Sequence, residues 1–252
     1  MALVTGGTGG IGRGIVEVLL SAGAKVAFCA VDQAECDAVA TELGKDHEAS
    51  RILAMAADLN DRDSLFAFAD RVTETWGGID TLICNAADFG VGGHPTEIEP
   101  DRYLRLLQAN VVNNFTLCTH VLPRMEARGT GSVVLFSSVA GVSTMPANVP
   151  YGSSKAAIMS MARSLAAQYA ESGVRVNCIV PGLIKSMSSR PVWDSPDGGA
   201  AYIKRNIPMN RIGQPEEIAA LCAFLASPLG AYITAAIIPV DGGRIGIGQK
   251  VG

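Results

Sequence analysis

The chain has 252 residues, of which 48% are hydrophobic and 17% are charged, and its formal net charge at pH 7 is −4. This length suffices for one well-buried domain, and a slightly acidic chain without a cluster of Lys and Arg argues against nucleic-acid binding. The longest apolar stretches are far shorter than the ~20 residues that cross a bilayer, and no basic leader precedes the first strand, so we expect a cytoplasmic protein without membrane contact.

Apolar runs and helical patterns alternate along the whole chain. Strands are predicted at ALV, KVAFCAV and RILAMAA, each before a helical pattern, the third of which covers 61–76. The alternation continues with IDTLICNAA before a helix over 100–127, GSVVLFSS before a helix over 152–171, VRVNCIV, and a helix after Pro215 that leads to AAIIPV. Continuous apolar strands between helices predict a single domain over 1–252, an α/β fold with a doubly wound parallel sheet and helices on both faces.

The first strand runs directly into the glycine-rich stretch TGGTGGIG. Glycine costs roughly 0.5–1 kcal/mol relative to alanine inside a regular element, so this density needs a physical reason. We predict that Gly6 permits a tight turn, that Gly10 lets the backbone approach a pyrophosphate, and that Gly12 lets the first helix pack against the strand. No Gly-Lys-Ser/Thr follows, which excludes a P-loop.

The spacing TGxxxGxG resembles the short-chain dehydrogenase/reductase family. The resemblance continues in order through AADL, CNAA, QANVVNNF, LFSSVAG, YGSSK, VPGLIKS and RIGQPEEIA. The chain departs from the family pattern at Cys84 and Ala87, which replace the first Asn and the Gly of NNAG, and at Ser186, where Thr is usual. The resemblance implies a Rossmann-type fold and an NAD(P)-dependent oxidoreductase that interconverts a secondary alcohol and a ketone.

The same resemblance implies the site residues. Ser138 donates a hydrogen bond to the substrate oxygen, Asn110 anchors a water that relays protons, Lys155 holds the nicotinamide ribose, and Tyr151 is the catalytic acid or base. The expected cofactor-binding residues are Gly6, Thr8, Gly10, Ile11, Gly12, Asp32, Asp58, Leu59, Asn85, Ala86, Tyr151, Lys155, Pro181, Gly182, Ile184 and Ser186.

Tyr151 and Lys155 lie four residues apart in a predicted helix, so both side chains project from one face. A phenol titrates near 10 and is a poor base at neutral pH, whereas a neighbouring ammonium favours the phenolate. We therefore expect Lys155 to lower the pKa of Tyr151, which then serves as general acid for ketone reduction and general base for alcohol oxidation.

The choice of cofactor depends on the end of the second strand. NAD enzymes carry an acid there for the ribose hydroxyls, and NADP enzymes a basic residue just beyond it for the 2′-phosphate. These positions are Ala30 and Val31 here, and Gly9 stands where NADP enzymes often carry Arg or Lys. Asp32 is either a helix cap or a carboxylate that repels a phosphate. The absence of cations favours NAD over NADP.

Residues 183–206 form the longest stretch without a periodic pattern. They follow Pro-Gly at the end of a predicted strand, on the edge where open α/β sheets bind ligands. Met187, Trp193 and Tyr202 offer apolar surface, although each side chain could equally pack a long loop onto the domain. We predict a mobile lid that selects a small or medium, largely apolar carbonyl or secondary alcohol.

Two other functions and the assembly state complete the expectations. A 3-oxoacyl-[acyl-carrier-protein] reductase would need basic residues at its entrance, and the sequence offers Arg128 and little else. A non-catalytic cofactor-binding regulator would typically lack the Tyr or the Lys. The sequence has no CxxC pair and no spacing of cysteine with histidine that is typical of metal ligands, so we expect no metal site. The resemblance further implies a homotetramer, although TAA at 234–236 lacks the usual Gly after Thr.

Overall fold

One parallel sheet forms the centre of the molecule. The computed structural model describes residues 1–90, 92–143, 148–187 and 189–247. The strands are β1 (Ala2–Thr5), β2 (Val26–Ala30), β3 (Ile52–Ala56), β4 (Thr81–Cys84), β5 (Gly131–Phe136), β6 (Val174–Pro181) and β7 (Ile237–Val240). They lie in the order β3-β2-β1-β4-β5-β6-β7, and every neighbouring pair is parallel. This confirms the predicted doubly wound α/β fold.

Helices cover both faces of this sheet. They are α1 (Gly10–Ser21), α2 (Gln33–Leu43), α3 (Arg62–Trp76), α4 (Pro100–Leu107), α5 (Asn113–Arg128), α6 (Val149–Tyr169), α7 (Arg190–Trp193), α8 (Ala200–Asn206), α9 (Pro215–Ala226) and α10 (Arg244–Ile247). Buried side chains of α1, α2 and α9 form one apolar cluster, and those of α3, α5 and α6 form the other.

The chain order reverses at β1, which lies between β2 and β4. In the register of the sheet, Thr5 at the end of β1 pairs with Cys29 of β2 and Cys84 of β4. The loops that leave these three strands therefore start side by side, where open α/β sheets bind their ligands.

The long helix predicted over 100–127 is not continuous. It is two helices, α4 and α5, joined by a π-helical turn over Gln108–Val112 in which the Asn113 amide donates to the carbonyl of Gln108. A π-turn inserts one residue into a helix and is common at functional sites, yet the apolar spacing on either side remains helical. The turn leaves Asn110 fully buried.

The segment 183–206 is also more regular than the sequence indicated, since it contains the short helices α7 and α8; its residue Ser188 lies outside the described residues. The base of the segment is tied to the loop before α9. The Lys185 amide donates to the carbonyl of Gly213 at 2.9 Å, and the Gly213 amide donates to the carbonyl of Leu183 at 3.0 Å. Within the described ranges, no helix is both long and apolar enough to cross a membrane, and no group of three His, Cys, Asp or Glu is placed to hold a metal ion.

Candidate active site

The glycine-rich turn joins β1 to the N-terminus of α1. Gly6 and Gly10 have φ values of +67° and +52°, a region that side chains other than glycine rarely adopt. A Cβ atom on Gly12 would lie 1.8 Å from the carbonyl oxygen of Gly6. The structure thus confirms the tight turn and the close packing of the helix on it. Thr8 and Ile11 lie in the same turn and are half-buried.

Asn85 holds this turn in place from β4. Its Nδ2 donates to the carbonyl oxygens of Thr5 at 3.1 Å and Gly6 at 3.0 Å. The Ala86 amide donates to the Thr5 hydroxyl at 3.0 Å. The side chain of Asn85, expected from the sequence to bind cofactor, therefore positions the backbone of the turn.

The loops after β2 and β3 border the same turn. The Gly7 amide donates to the carbonyl of Cys29 at 3.0 Å, which places the end of β2 beside the glycines. Asp32 is the N-cap of α2 and accepts from the amides of Ala34 and Glu35 at 2.7 and 3.2 Å. The cap interpretation of Asp32 is thus confirmed, and its carboxylate remains exposed.

Asp58 and Leu59 follow β3 along this edge. The Asp58 carboxylate accepts from the Asn60 amide at 2.8 Å, and the Asp58 amide donates to the Ser64 hydroxyl at 3.2 Å. Leu59 is buried. These bonds fix the loop, and contact with an adenine ring stays a prediction.

The remaining predicted cofactor residues follow β6. Gly182 packs closely, since a Cβ atom there would lie 2.7 Å from the Cα of Asp241. Ile184 is buried and forms a bridge with Gly213. A Cβ atom on Gly10 would lie 3.0 Å from the Cβ of Ser186. The segment after Pro181 therefore brings Ser186 directly against the glycine turn.

Ser138, Tyr151 and Lys155 converge at the end of β5. Ser138 lies two residues beyond the strand, and its hydroxyl bonds with the Tyr151 phenol. Lys155 is one turn further along α6, with its Nζ 5.6 Å from the centroid of the Tyr151 ring. Helix α6 packs closely against the loop after β5 because Gly141 in that loop has no side chain. A Cβ atom on Gly141 would lie 2.7 Å from the carbonyl carbon of Lys155. The structure confirms that Tyr151 and Lys155 share one helix face.

The expected effect of Lys155 on the pKa of Tyr151 is wrong. Burial raises the pKa of the phenol to about 12, although the hydrogen bond with Ser138 acts in the opposite direction. Burial also lowers the pKa of the Lys155 ammonium to about 8. The ammonium donates to the carbonyl of Phe136 at 3.0 Å. Loss of solvent around the phenol therefore decides its titration in this arrangement.

Comparison with known proteins assigns the chain to a family. A family model described as Enoyl-(Acyl carrier protein) reductase matches residues 6–244. The Bos taurus protein named dehydrogenase/reductase SDR family member 4 is 37% identical over 246 residues, which cover 97% of this chain and 87% of that protein. The chain belongs to the short-chain dehydrogenase/reductase family. It is accordingly an oxidoreductase of a family that binds nicotinamide cofactors.

Solved short-chain dehydrogenase/reductase structures share the fold over nearly the whole chain. The Pseudomonas aeruginosa RhlG structure with NADP is 35% identical, with a TM-score of 0.89, and the alignment covers 97% of this chain and 95% of that one. The structure of levodione reductase is 28% identical, with a TM-score of 0.90 and coverage of 97% and 96%.

Asn110, the fourth catalytic residue expected of this short-chain dehydrogenase/reductase, is held by its own side-chain contacts. Its Oδ1 accepts from the Asp88 amide at 2.8 Å, and its Nδ2 donates to the Asp88 carbonyl at 2.7 Å and to the Ser154 hydroxyl at 3.2 Å. The Asn110 carbonyl accepts from Nδ2 of Asn114 at 2.8 Å. The amide therefore fixes the loop after β4, and the water relay stays a prediction.

Two residues that the sequence reasoning missed complete the site. Phe89 lies against the Tyr151 ring, with 5.5 Å between ring centroids and 29° between planes. Asn148 caps α6 through its Oδ1 on the Tyr151 amide at 3.4 Å, and its Nδ2 donates to the carbonyl of Phe89 at 3.1 Å. An Asn three residues before the tyrosine is the sequence signal that indicates this cap.

The three apolar residues of the predicted lid differ in their hydrogen bonds and in their exposure to solvent. Trp193 donates from Nε1 to the carbonyl of Ser186 at 3.2 Å and to the hydroxyl of Ser189 at 3.1 Å. The Tyr202 hydroxyl accepts from Arg244 at 2.6 Å. Met187 is 69% exposed. Trp193 and Tyr202 thus anchor the segment, and Met187 offers apolar surface.

The buried ammonium of Lys155 leads to a prediction about stability and pH. Its pKa is about 8 in the folded chain against 10.5 in a model peptide, so between these values the unfolded chain binds more protons. Stability contributed by this group therefore rises with pH over that window. We expect the unfolding free energy of the wild type, minus that of Lys155→Met, to rise by about 3 kcal/mol from pH 7 to pH 10.5.

Denaturant unfolding of the cofactor-free protein at several pH values measures this difference. The lost bond to the Phe136 carbonyl shifts all values equally, so it does not affect the slope. Lys45→Met, which removes an exposed lysine, is the control and should give a flat difference. A flat difference for Lys155→Met as well would contradict the prediction.

Proposed function

We propose that this protein is an NAD(P)-dependent oxidoreductase that interconverts a ketone and a secondary alcohol, with Tyr151 as the general acid and base. The observation that carries the proposal is the arrangement at the end of β5. There the buried Tyr151 phenol bonds with Ser138, and Lys155 lies on the same face of α6. A proton donor, a second hydroxyl and a cation at one sheet edge suit reaction at a carbonyl oxygen.

The neighbouring turn fits a dinucleotide. Glycines at 6 and 10 leave a backbone cradle without side chains, and α1 begins there with its positive dipole end. The backbone around Gly10 would hold the pyrophosphate, and Lys155 would hold the nicotinamide ribose. When bound, the nicotinamide supplies or accepts the hydride.

Tyr151 is poised as an acid at neutral pH because burial raises its pKa to about 12. In ketone reduction, its O–H bond breaks, the proton passes to the substrate oxygen, and the carbonyl carbon receives the hydride to give an alcohol. Ser138 donates to the same oxygen and orients it. In the opposite direction, the phenolate takes up the proton of the alcohol.

A panel of neutral ketones tests the proposal, with NADH and NADPH supplied in turn. We expect turnover of at least one aryl or cyclic ketone with one of the two cofactors. No turnover of any ketone, together with no oxidation of the corresponding alcohols, would contradict the proposed reaction.

The acyl-carrier alternative receives mixed support. The description of the matching family model names an enoyl-(acyl carrier protein) reductase, which also acts on a carrier-bound substrate. However, Arg128 donates to the carbonyl of Ile79 and pairs with Asp80 at 3.7 Å, near the amino end of β4 and at the opposite edge of the sheet from Tyr151. Comparison of free ketones with carrier-bound 3-oxoacyl thioesters distinguishes the two functions, and we expect faster turnover of the free ketones.

The cofactor is NAD or NADP, and the comparisons support NADP because the RhlG structure holds it. They give no support to the NAD preference that the sequence predicts. Val31, at the position for a basic residue, is 70% exposed, and the exposed Asp32 carboxylate lies one residue further on. A carboxylate beside the position expected for a 2′-phosphate would disfavour NADP.

We expect Asp32→Ser to raise kcat/KM for NADPH relative to NADH by about fivefold, since one like charge near a phosphate at the surface costs on the order of 1 kcal/mol. Serine keeps the N-cap of α2, so stability is preserved. Asp37→Ser removes an exposed carboxylate one turn further along α2 and should leave the ratio unchanged. An Asp32→Ser enzyme with the wild-type ratio would show that the carboxylate plays no part in discrimination.

We also propose a homotetramer. Large apolar side chains are exposed on separate parts of the surface, among them Leu104 of α4, Phe115 of α5, and Leu229 and Tyr232 before β7. Subunit contacts at these places would remove this apolar surface from water. Light scattering at micromolar concentration should give four times the 26.2 kDa of one chain, and the mass of one chain or of two would overturn this assignment.

A further inference from the structure

The ring of Phe89 lies beside the general acid and is half exposed. Its centroid is 5.5 Å from that of Tyr151 at an interplanar angle of 29°, and 49% of the residue remains accessible. One face of the ring therefore covers the phenol ring, and the rest of its surface is open next to the place where Tyr151 delivers its proton.

Hydrogen bonds from the catalytic elements hold the backbone on both sides of this ring. Asn110 binds both the amide and the carbonyl of Asp88, at 2.8 and 2.7 Å. Asn148 donates to the carbonyl of Phe89 at 3.1 Å, and the Gly90 amide donates to the Asp88 carboxylate at 2.7 Å. The residues on both sides of Phe89 are thus fixed by the π-turn and by the cap of α6.

The packing of Gly90 adds a further constraint. Its φ is +62°, and a Cβ atom there would lie 2.4 Å from Cδ1 of Leu106 on α4. The loop therefore rests on α4. A flat apolar group that covers the exposed ring of Phe89 removes apolar surface from water, and this contributes to the free energy of binding.

We propose that Phe89 is a specificity-determining residue whose exposed ring packs against an aromatic ring of the substrate, next to the carbonyl that Tyr151 protonates. This inference rests on the proposed function and narrows its substrate class to ketones with an aryl group adjacent to the carbonyl. Two aromatic rings attract each other beyond the burial of apolar area, and this attraction distinguishes an aryl substrate from a saturated ring of similar size.

The experiment compares kcat/KM for acetophenone and for cyclohexyl methyl ketone in three enzymes. The wild type and Phe89→Tyr, which keeps the ring, should prefer the aryl ketone. Phe89→Leu keeps an apolar side chain without the ring and should lower the aryl-to-cyclohexyl ratio about threefold to tenfold. Thermal unfolding of each variant checks that the loop change has not altered stability.

The outcomes separate this inference from the proposed function. If the wild type reduces both ketones and Phe89→Leu keeps the wild-type ratio, the role of Phe89 is overturned and the proposed reaction stands. If Phe89→Leu slows both ketones equally, Phe89 only shields or positions Tyr151, and the inference again fails. If the wild type reduces no ketone, the proposed function itself fails.

Discussion

Replacement of Tyr151 by phenylalanine is expected to lower turnover at least 100-fold while cofactor affinity stays within about twofold, because general acid–base catalysis typically supplies 10²–10⁴-fold. The substitution removes the phenol that bonds with Ser138 and keeps the ring that packs against Phe89. Steady-state rates with the best ketone of the panel, together with a titration of the cofactor by fluorescence, measure the two effects.

The chain offers a closely matched control. Tyr103 of α4 bonds through its hydroxyl with the Ser153 hydroxyl of α6 at 2.5 Å, so it forms a second tyrosine–serine pair that has one member on α6. Tyr103→Phe should leave turnover within about twofold. A Tyr151→Phe enzyme that retains more than about a tenth of the wild-type rate would remove Tyr151 from the catalytic role.

The second large effect is expected at Gly12, where alanine has no space. Its Cβ atom would lie 1.8 Å from the Gly6 carbonyl oxygen and 2.6 Å from Nδ2 of Asn85. The turn must move to admit it, and we expect Gly12→Ala to lower the unfolding free energy by about 3 kcal/mol or more. Displacement of the turn should also abolish detectable cofactor binding.

Gly9→Ala provides the comparison, since nothing lies within 4 Å of a Cβ atom at that position. Gly9 has an extended backbone at the N-cap of α1, so alanine there should cost no more than about 1 kcal/mol. Denaturant unfolding and cofactor titration of both variants test the pair. Equal stability of the two proteins would show that the turn relaxes around Gly12 at little cost.

The sequence predicts the elements whose causes are local. Apolar runs and glycine spacing depend on a few neighbouring residues, and the parallel sheet, the turn at Gly6 and the shared face of Tyr151 and Lys155 follow from them. The π-turn around Asn110 was missed because one inserted residue does not change the apolar pattern on its two sides. The helix cap at Asp32 was foreseen as an alternative, since Asp is a common N-cap residue.

Properties that depend on packing could not be predicted in the same way. The pKa of Tyr151 is raised by burial, and burial is the result of the whole fold. Asn85 lies in a family motif, yet its side chain donates to the carbonyl of Thr5, which is 80 residues earlier in the sequence. This contact forms only because β1 and β4 are neighbours in the sheet. The indole nitrogen of Trp193 is likewise committed to Ser186 and Ser189, and only the folded segment shows this.

The contact between Gly10 and Ser186 connects two parts of the molecule that are otherwise far apart in sequence. Gly10 belongs to the glycine-rich turn, and Ser186 belongs to the base of the segment 183–206. A ligand that changes the distance between Gly10 and Ser186 displaces the turn and the segment together. By thermodynamic linkage, the factor by which nucleotide alters the affinity for substrate then equals the factor by which substrate alters the affinity for nucleotide. Under the proposed function, retention of the nucleotide during a catalytic cycle would then depend partly on how well the substrate fits.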